Sequence, residues 1–283
     1  MAELNGAEQA PSSAAPAGKK PAILQRVFAT ALRHLRIIGA LIMREMATRY
    51  GRQGLGFAWL IGEPLIFCFG VMILWSFTKP PYEHGIRLAP FVMTGYMCLI
   101  LIRHMIGLLT SAVQSNLGLL YHRQITPMHI LTSRIILELG GATSAFLVAY
   151  LVLLSINQVS PPHDYLLLYS GWLIFAFVAV GLALVLTGLA MRFELFERLV
   201  SLISYAMIPL SGVFFMVAWV PAAARNIYLS VPFVHGIEMI RAGVFGEFVS
   251  THYNPIYAIV WGAALNIAGL LLIAGAREHM SSE

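Results

Sequence analysis

Six long runs with almost no charge limit what this chain can fold into. They occupy residues 57–77, 91–112, 134–156, 166–190, 199–217 and 255–275, each close to the roughly 20 residues that cross about 30 Å of hydrocarbon as a helix. Only 11% of the chain is charged, against about 25% in a soluble domain. Water cannot be the only solvent, and a lipid-embedded backbone must satisfy its own hydrogen bonds, which favours helices. The expected fold is an all-α membrane protein with six transmembrane helices.

Six crossings leave both termini on one side. Under that assignment thirteen lysines and arginines fall on the side of the termini. Only Lys79, Arg87, Arg225 and Arg241 fall on the other, and Arg103 sits inside a span. That asymmetry places both termini in the cytoplasm. It also explains the net charge of +5 without a nucleic-acid partner. Phe57 and Trp59 on the inner side, and Trp75, Phe77, Tyr165, Tyr169 and Trp172 on the outer, mark membrane edges where amphipathic rings are stable.

Outside the spans, residues 1–32 read as a largely disordered cytoplasmic tail. The first twenty lack the apolar core of a signal peptide. Residues 278–283 form a short cytoplasmic C-terminal tail. Residues 33–50 form an N-terminal amphipathic interfacial helix: Leu35, Ile38, Ile42 and Met46 recur at helical spacing with Arg33, Arg36 and Arg44 opposite. A plain lipid anchor and a partner-binding element both fit that pattern. Residues 218–254, between the fifth and sixth spans, are too long for a turn and too polar to cross. Short re-entrant or interfacial helices fit, including one from His235 to Phe245 with Glu238 and Arg241 three apart.

Catalytic and energy-converting motifs are missing. The chain has no G-x-x-x-x-G-K-[ST] loop, and Gly51, Gly54 and Gly56 fit a flexible elbow rather than a phosphate cradle. It has no H-E-x-x-H and no G-x-S-x-G. His235 and Glu238 lack further ligands of metal-binding geometry, so no metal is expected. Cys68 and Cys98 read as small buried hydrophobes.

Ionisable groups inside spans carry more information, because each is costly unless it faces protein or water. Arg103, followed by His104, lies roughly 18 Å from the outer end of the second span. It pairs with a buried carboxylate or lines a passage for an anion. Glu63, before Pro64, and Glu138 are candidate partners or gate residues. The loop from Ser115 to Arg134 starts with an amphipathic piece, and Thr126 and Pro127 look like the cap and first position of the next helix. That loop is an ordinary connector or the receiver of a push from a motor.

Several stretches together resemble the type-2 ABC exporter permeases that move capsular polysaccharide across the bacterial inner membrane. They are Met43-Arg44-Glu45-Met46-Ala47-Thr48-Arg49-Tyr50, then Gly54-Leu55-Gly56-Phe57-Ala58-Trp59 leading to Glu63-Pro64. Asn116-Leu117-Gly118-Leu119-Leu120-Tyr121 with Pro127, and Pro232-Phe233-Val234-His235-Gly236-Ile237-Glu238-Met239-Ile240-Arg241, complete the set. The resemblance covers most of residues 33–277, as a single transmembrane domain. It implies two copies of this chain working with two separate ATP-binding subunits, which hold the ATP and Mg; no cofactor binds this chain directly, and it is not itself an enzyme. It makes 33–50 a gate helix, 115–124 a coupling helix and 218–254 a periplasmic re-entrant segment.

From that resemblance follow expected roles. Arg44, Arg49, Tyr50 and Arg52 serve the cytoplasmic mouth, and Arg103, His104, Trp59 and Glu63 the substrate pathway. Asn116, Leu119, Tyr121 and Arg123 couple to the ATPase, and His235, Glu238 and Arg241 hold the periplasmic gate. The expected substrate is a lipid-linked acidic polysaccharide, with membrane lipids and periplasmic or outer-membrane export proteins as further partners. Export of O-antigen or teichoic acid is a neighbouring reading. A proton-coupled secondary transporter or a membrane enzyme belongs to other classes.

Overall fold

A computed structural model describes residues 23–50, 56–120, 124–246 and 250–280. Contacts divide the chain into a first unit, Met1–Arg36, and a second, Ile37–Glu283. Helix α1, Ile23–Tyr50, spans that division, so the helix begins ten residues ahead of the expected start at 33. In the first unit Val27, Phe28 and Leu35 are exposed.

The second unit is almost wholly helical. Its long helices are α2 (Gly56–Thr78), α3 (Leu88–Ala112), α5 (Pro127–Ser155), α6 (Tyr165–Ala190) and α10 (Pro255–Met280). All five are long and apolar enough to cross a membrane. Most of the crossing window of α3, 72%, is buried, whereas α2 and α10 bury 22% each. Helix α3 is therefore the axis of the bundle, and α2 and α10 keep broad apolar faces for lipid or another protein. A two-stranded hairpin, β1 (Tyr82–Glu83) and β2 (Ile86–Arg87), links α2 to α3. Its turn residues His84 and Gly85 adopt φ of 50° and 82°, and the His84 ring stacks on Trp219 at 4.6 Å.

Helix ends follow local chemistry. Pro127 opens α5, as expected, with the Thr126 N–H donating to His129 Nδ1 at 3.1 Å. Asp164 caps α6 by accepting from the Leu167 N–H at 3.0 Å. Between α3 and α5 lie a single 3₁₀ turn, Gln114–Asn116, and the short α4, Leu117–Leu120. They start one residue ahead of the expected 115–124 element, whose Tyr121 and Arg123 lie outside the described residues. Arg52 and the side chains of Arg49 and Tyr50 lie outside them too.

The expected crossing at 199–217 takes a different form. Helix α7 is Glu194–Leu210, with Pro209 inside its last turn. At 1.5 Å per residue its 17 residues span roughly 25 Å, about 5 Å short of the hydrocarbon core. The chain then turns through Gly212, whose φ of 76° suits a residue without Cβ. A 3₁₀ turn (Val217–Trp219), α8 (Ala222–Leu229) and α9 (Pro232–Phe245) fill the segment before α10. Every residue from Phe233 to Val244 in α9 is buried. Its close seat on α6 depends on Gly236, where an added Cβ would come 2.8 Å from the Phe175 Cβ.

Candidate functional site

Three polar constellations stand out in this apolar bundle. The first is a cleft of about 390 Å³ between α2, α3 and α7. Glu63 comes from α2, Tyr96, Arg103 and His104 from α3, and Ser201, Ser204 and Tyr205 from α7. The Arg103 guanidinium sits over the Tyr205 ring at 5.1 Å, a contact worth about 0.5–2 kcal/mol. Among the described residues no carboxylate lies within ion-pair distance of it. The two carboxylates take its neighbour instead: His104 Nε2 is 3.9 Å from Glu63 Oε1, and Nδ1 is 3.4 Å from Glu138 Oε2. Arg103 thus leaves its positive charge facing the cleft while His104 ties α2, α3 and α5 together.

Of the expected pathway residues, the structure gathers Arg103, His104 and Glu63. Trp59 is exposed one turn before Glu63 and does not line the cleft. Tyr96, Ser201, Ser204 and Tyr205 escaped the sequence reading. Hydroxyl residues in an apolar run have no pattern until a neighbouring helix supplies the facing charge.

The second constellation joins α1 to the α3–α5 connection. Arg44 Nη1 donates to Asn116 Oδ1 at 2.9 Å, and the Asn116 amide donates back to the Ala112 carbonyl at 2.9 Å. Glu45 Oε1 lies 2.8 Å from Arg134 Nη2. Arg134 also donates to the Leu108 carbonyl at 2.8 Å and the Ser115 hydroxyl at 3.3 Å. Leu41 enters the main core on the same helix face, and Leu119 packs against that core. The less exposed face of α1 runs through Ile38, Leu41, Ile42, Glu45 and Met46, so the expected stripe holds at Ile38, Ile42 and Met46 while Leu35 is exposed.

The third lies around α9. Arg241 is fully buried. It donates from Nη1 to the carbonyls of Gly212 (3.0 Å) and Phe215 (2.7 Å), and from Nη2 to that of Val213 (2.6 Å). Its guanidinium lies over Phe91 at 4.5 Å and 4.0 Å from Glu238. Glu238 accepts from the Val217 and His252 N–H groups at 3.2 and 3.1 Å. Burial raises its carboxyl above the ordinary value, while Arg241 and those two N–H groups pull it back. The pair therefore holds together the turn after α7 and the approach to α10. Neither residue reaches the surface.

His235 belongs to the same corner. Its Nε2 faces the Leu229 carbonyl at 2.9 Å, and its Nδ1 accepts from the Asn254 N–H at 3.0 Å. Only the neutral Nε2–H tautomer satisfies both contacts. Burial lowers its pKa from the usual 6.5, against a smaller upward pull from the Leu229 carbonyl. Stability tied to His235 is complete above 6.5 and is lost as pH falls toward the folded value, because the unfolded chain takes up a proton that the folded chain refuses. The melting temperature should drop from about pH 7 to about pH 5, and His235→Gln should flatten that drop. Equal slopes in the two proteins would refute the assignment.

A family model described as ABC-2 type transporter matches residues 36–245. The chain belongs to the ABC-2 type transporter family. This ABC-2 chain is 38% identical over 239 residues to the capsule polysaccharide export inner-membrane protein CtrC of Neisseria meningitidis serogroup B, covering 84% of the chain and 90% of that protein. BexB of Haemophilus influenzae, also a capsule polysaccharide export inner-membrane protein, is 36% identical over 238 residues, with coverage of 84% and 90%. The polysialic acid transport protein KpsM of Escherichia coli is 20% identical over 243 residues, with coverage of 86% and 94%. The matched ABC-2 region holds the cleft, the α1 attachment and the Glu238–Arg241 pair.

Proposed function

We propose that this chain is the transmembrane permease subunit of an ATP-driven exporter of lipid-linked capsular polysaccharide in the bacterial inner membrane. Two copies work with two ATP-binding subunits, which bind ATP and Mg and carry out hydrolysis. Helix α7 and the turn through residue 217 make the fifth of six crossings, so both termini face the cytoplasm. Irregular backbone at that depth needs internal partners, and Arg241 supplies donors for three of its carbonyls. The α8–α9 segment is then a periplasmic re-entrant element, with His235, Glu238 and Arg241 as its internal clamp beside the exit. Residues 115–124 receive the push of the ATPase. Outer-membrane and periplasmic export proteins continue the path.

The observation that carries this reading is the charge Arg103 turns toward the cleft. A fixed cation within a span is costly unless a passing anion or water uses it. Tyr96 and Tyr205 offer ring faces, and Ser201, Ser204 and Glu63 offer hydroxyl and carboxylate partners suited to an acidic sugar chain. The two most identical relatives described above carry capsule polysaccharide export in their names. Losing a charge-assisted hydrogen bond costs about 1.5–3 kcal/mol. Arg103→Gln should therefore lower export by roughly ten- to a hundred-fold, with insertion and copurification of the ATP-binding subunit unchanged. Export at the wild-type rate would remove Arg103 from the pathway. Failure of the wild-type chain to copurify with any nucleotide-binding subunit, or flux that persists without nucleotide, would overturn the exporter itself.

A further inference from the structure

Among the described residues, two adjacent polar side chains of α1 reach the second unit's other helices at one place. Adjacent residues of α1 grip the α3–α5 connection at two points: Arg44 holds Asn116 in the 3₁₀ turn, and Glu45 holds Arg134 in the second turn of α5. Arg134 extends the grip, because its Nη1 donates to the Leu108 carbonyl near the end of α3 and its Nη2 also reaches the Ser115 hydroxyl in the connection itself. One guanidinium thus touches α1, α3, the connecting turn and α5. Side-chain exposures of 9% for Arg134 and 14% for Glu45 place the pair where solvent and salt screen it weakly. A planar, always-charged fork is suited to holding several oxygens in fixed directions. A lone surface ion pair would transmit little.

We propose that Arg134 and Glu45 form a strut that makes α1 and the 114–120 segment move as one body, so that a push on that segment also swings α1. The proposal rests on the exporter reading, in which the connection receives the push. It assigns positioning roles to two residues that take no part in the cleft. Arg134 is the hub, and Glu45 is the end that can be released without disturbing the bonds of Arg134 to α3 and Ser115.

The test uses the complete transporter with its ATP-binding subunits, reconstituted in proteoliposomes, comparing wild type, Glu45→Gln and Glu45→Ala. Spin labels at Ala40 and Gly118, in a background with Cys68 and Cys98 replaced, report the distance from α1 to the connection with and without trapped nucleotide. With the strut intact that distance stays constant through the cycle. Glu45→Ala should broaden it and lower export at least ten-fold while ATP hydrolysis stays within two-fold of wild type, and Glu45→Gln, which keeps an acceptor oxygen, should fall between. Two results would overturn the strut: wild-type export by Glu45→Ala, or export and hydrolysis lost in equal proportion with the distance unchanged. A wild-type complex that exports nothing on ATP would instead sink the exporter reading, a result separable from either.

Discussion

Arg241→Leu should remove most folded protein from the membrane. The substitution strands the carbonyls of Gly212, Val213 and Phe215 and leaves the buried Glu238 without its cation. Breaking a buried pair from one side costs about 3–5 kcal/mol, a large share of the roughly 5–15 kcal/mol that holds a domain folded. Burial lowers the guanidinium only to about 10, so it stays charged near neutral pH and its loss is the loss of a full cation. Monodisperse yield in detergent and the melting temperature measure the effect. Arg241→Lys should rescue little, because an ammonium cannot reproduce a planar fork across three carbonyls in one turn. Glu238→Leu combined with Arg241→Leu should recover part of the yield, since no orphaned carboxylate remains. An Arg241→Lys protein that melts like wild type would show that charge alone matters there, and not the fork.

The same residue shows what hydropathy could not see in the fifth apolar run. Hydropathy counts side chains and does not see where the backbone bonds go. Residues 199–217 read as one crossing, but Pro209 and Gly212 loosen the helix at its end, and the donors that satisfy the freed carbonyls come from α9, nearly thirty residues further along. The apolar helices α2, α3, α6 and α10 were legible because a run of sufficient length with almost no charge has one solution in lipid. The start of α5 was legible from Thr126 and Pro127, a purely local signal. The amphipathic stripe of α1 was read with Leu35 in it, whereas the face turned inward carries Leu41 and Glu45. A glutamate in an arginine-rich helix looks like a solvated charge until its distant partner is known.

The cleft shows the same limit at a single residue. Sequence singled out Arg103, Glu63 and Glu138 as intramembrane charges, and left open whether the arginine pairs with a carboxylate. In the folded chain both carboxylates flank His104. Helical geometry decides this: residues 103 and 104 point about 100° apart, so one of them turns to α2 and α5 while the other turns to α7. No single-sequence pattern fixes which.

His104→Leu should therefore be more damaging to folding than Arg103→Gln, because His104 lies between carboxylates on two other helices. Removing the ring leaves Glu63 and Glu138 facing an apolar side chain, with the Glu138 side chain only 2% exposed. The cost is the loss of a ring that lies beside a carboxylate on α2 and another on α5. Glu138→Gln in the same chain should restore part of the folded yield, because the amide keeps the shape and has no charge to desolvate. A double-mutant cycle on melting temperature should give a coupling of at least about 1 kcal/mol between positions 104 and 138. Glu63 is more open, with 35% side-chain exposure, so Glu63→Gln should couple to His104 more weakly. If the two couplings came out equal, or the one with Glu63 the larger, the tie between α3 and α5 through His104 would not be what holds this part of the bundle. Arg103→Gln should keep its melting temperature near that of wild type while export falls, since its charge faces the cleft and supports no neighbouring carboxylate.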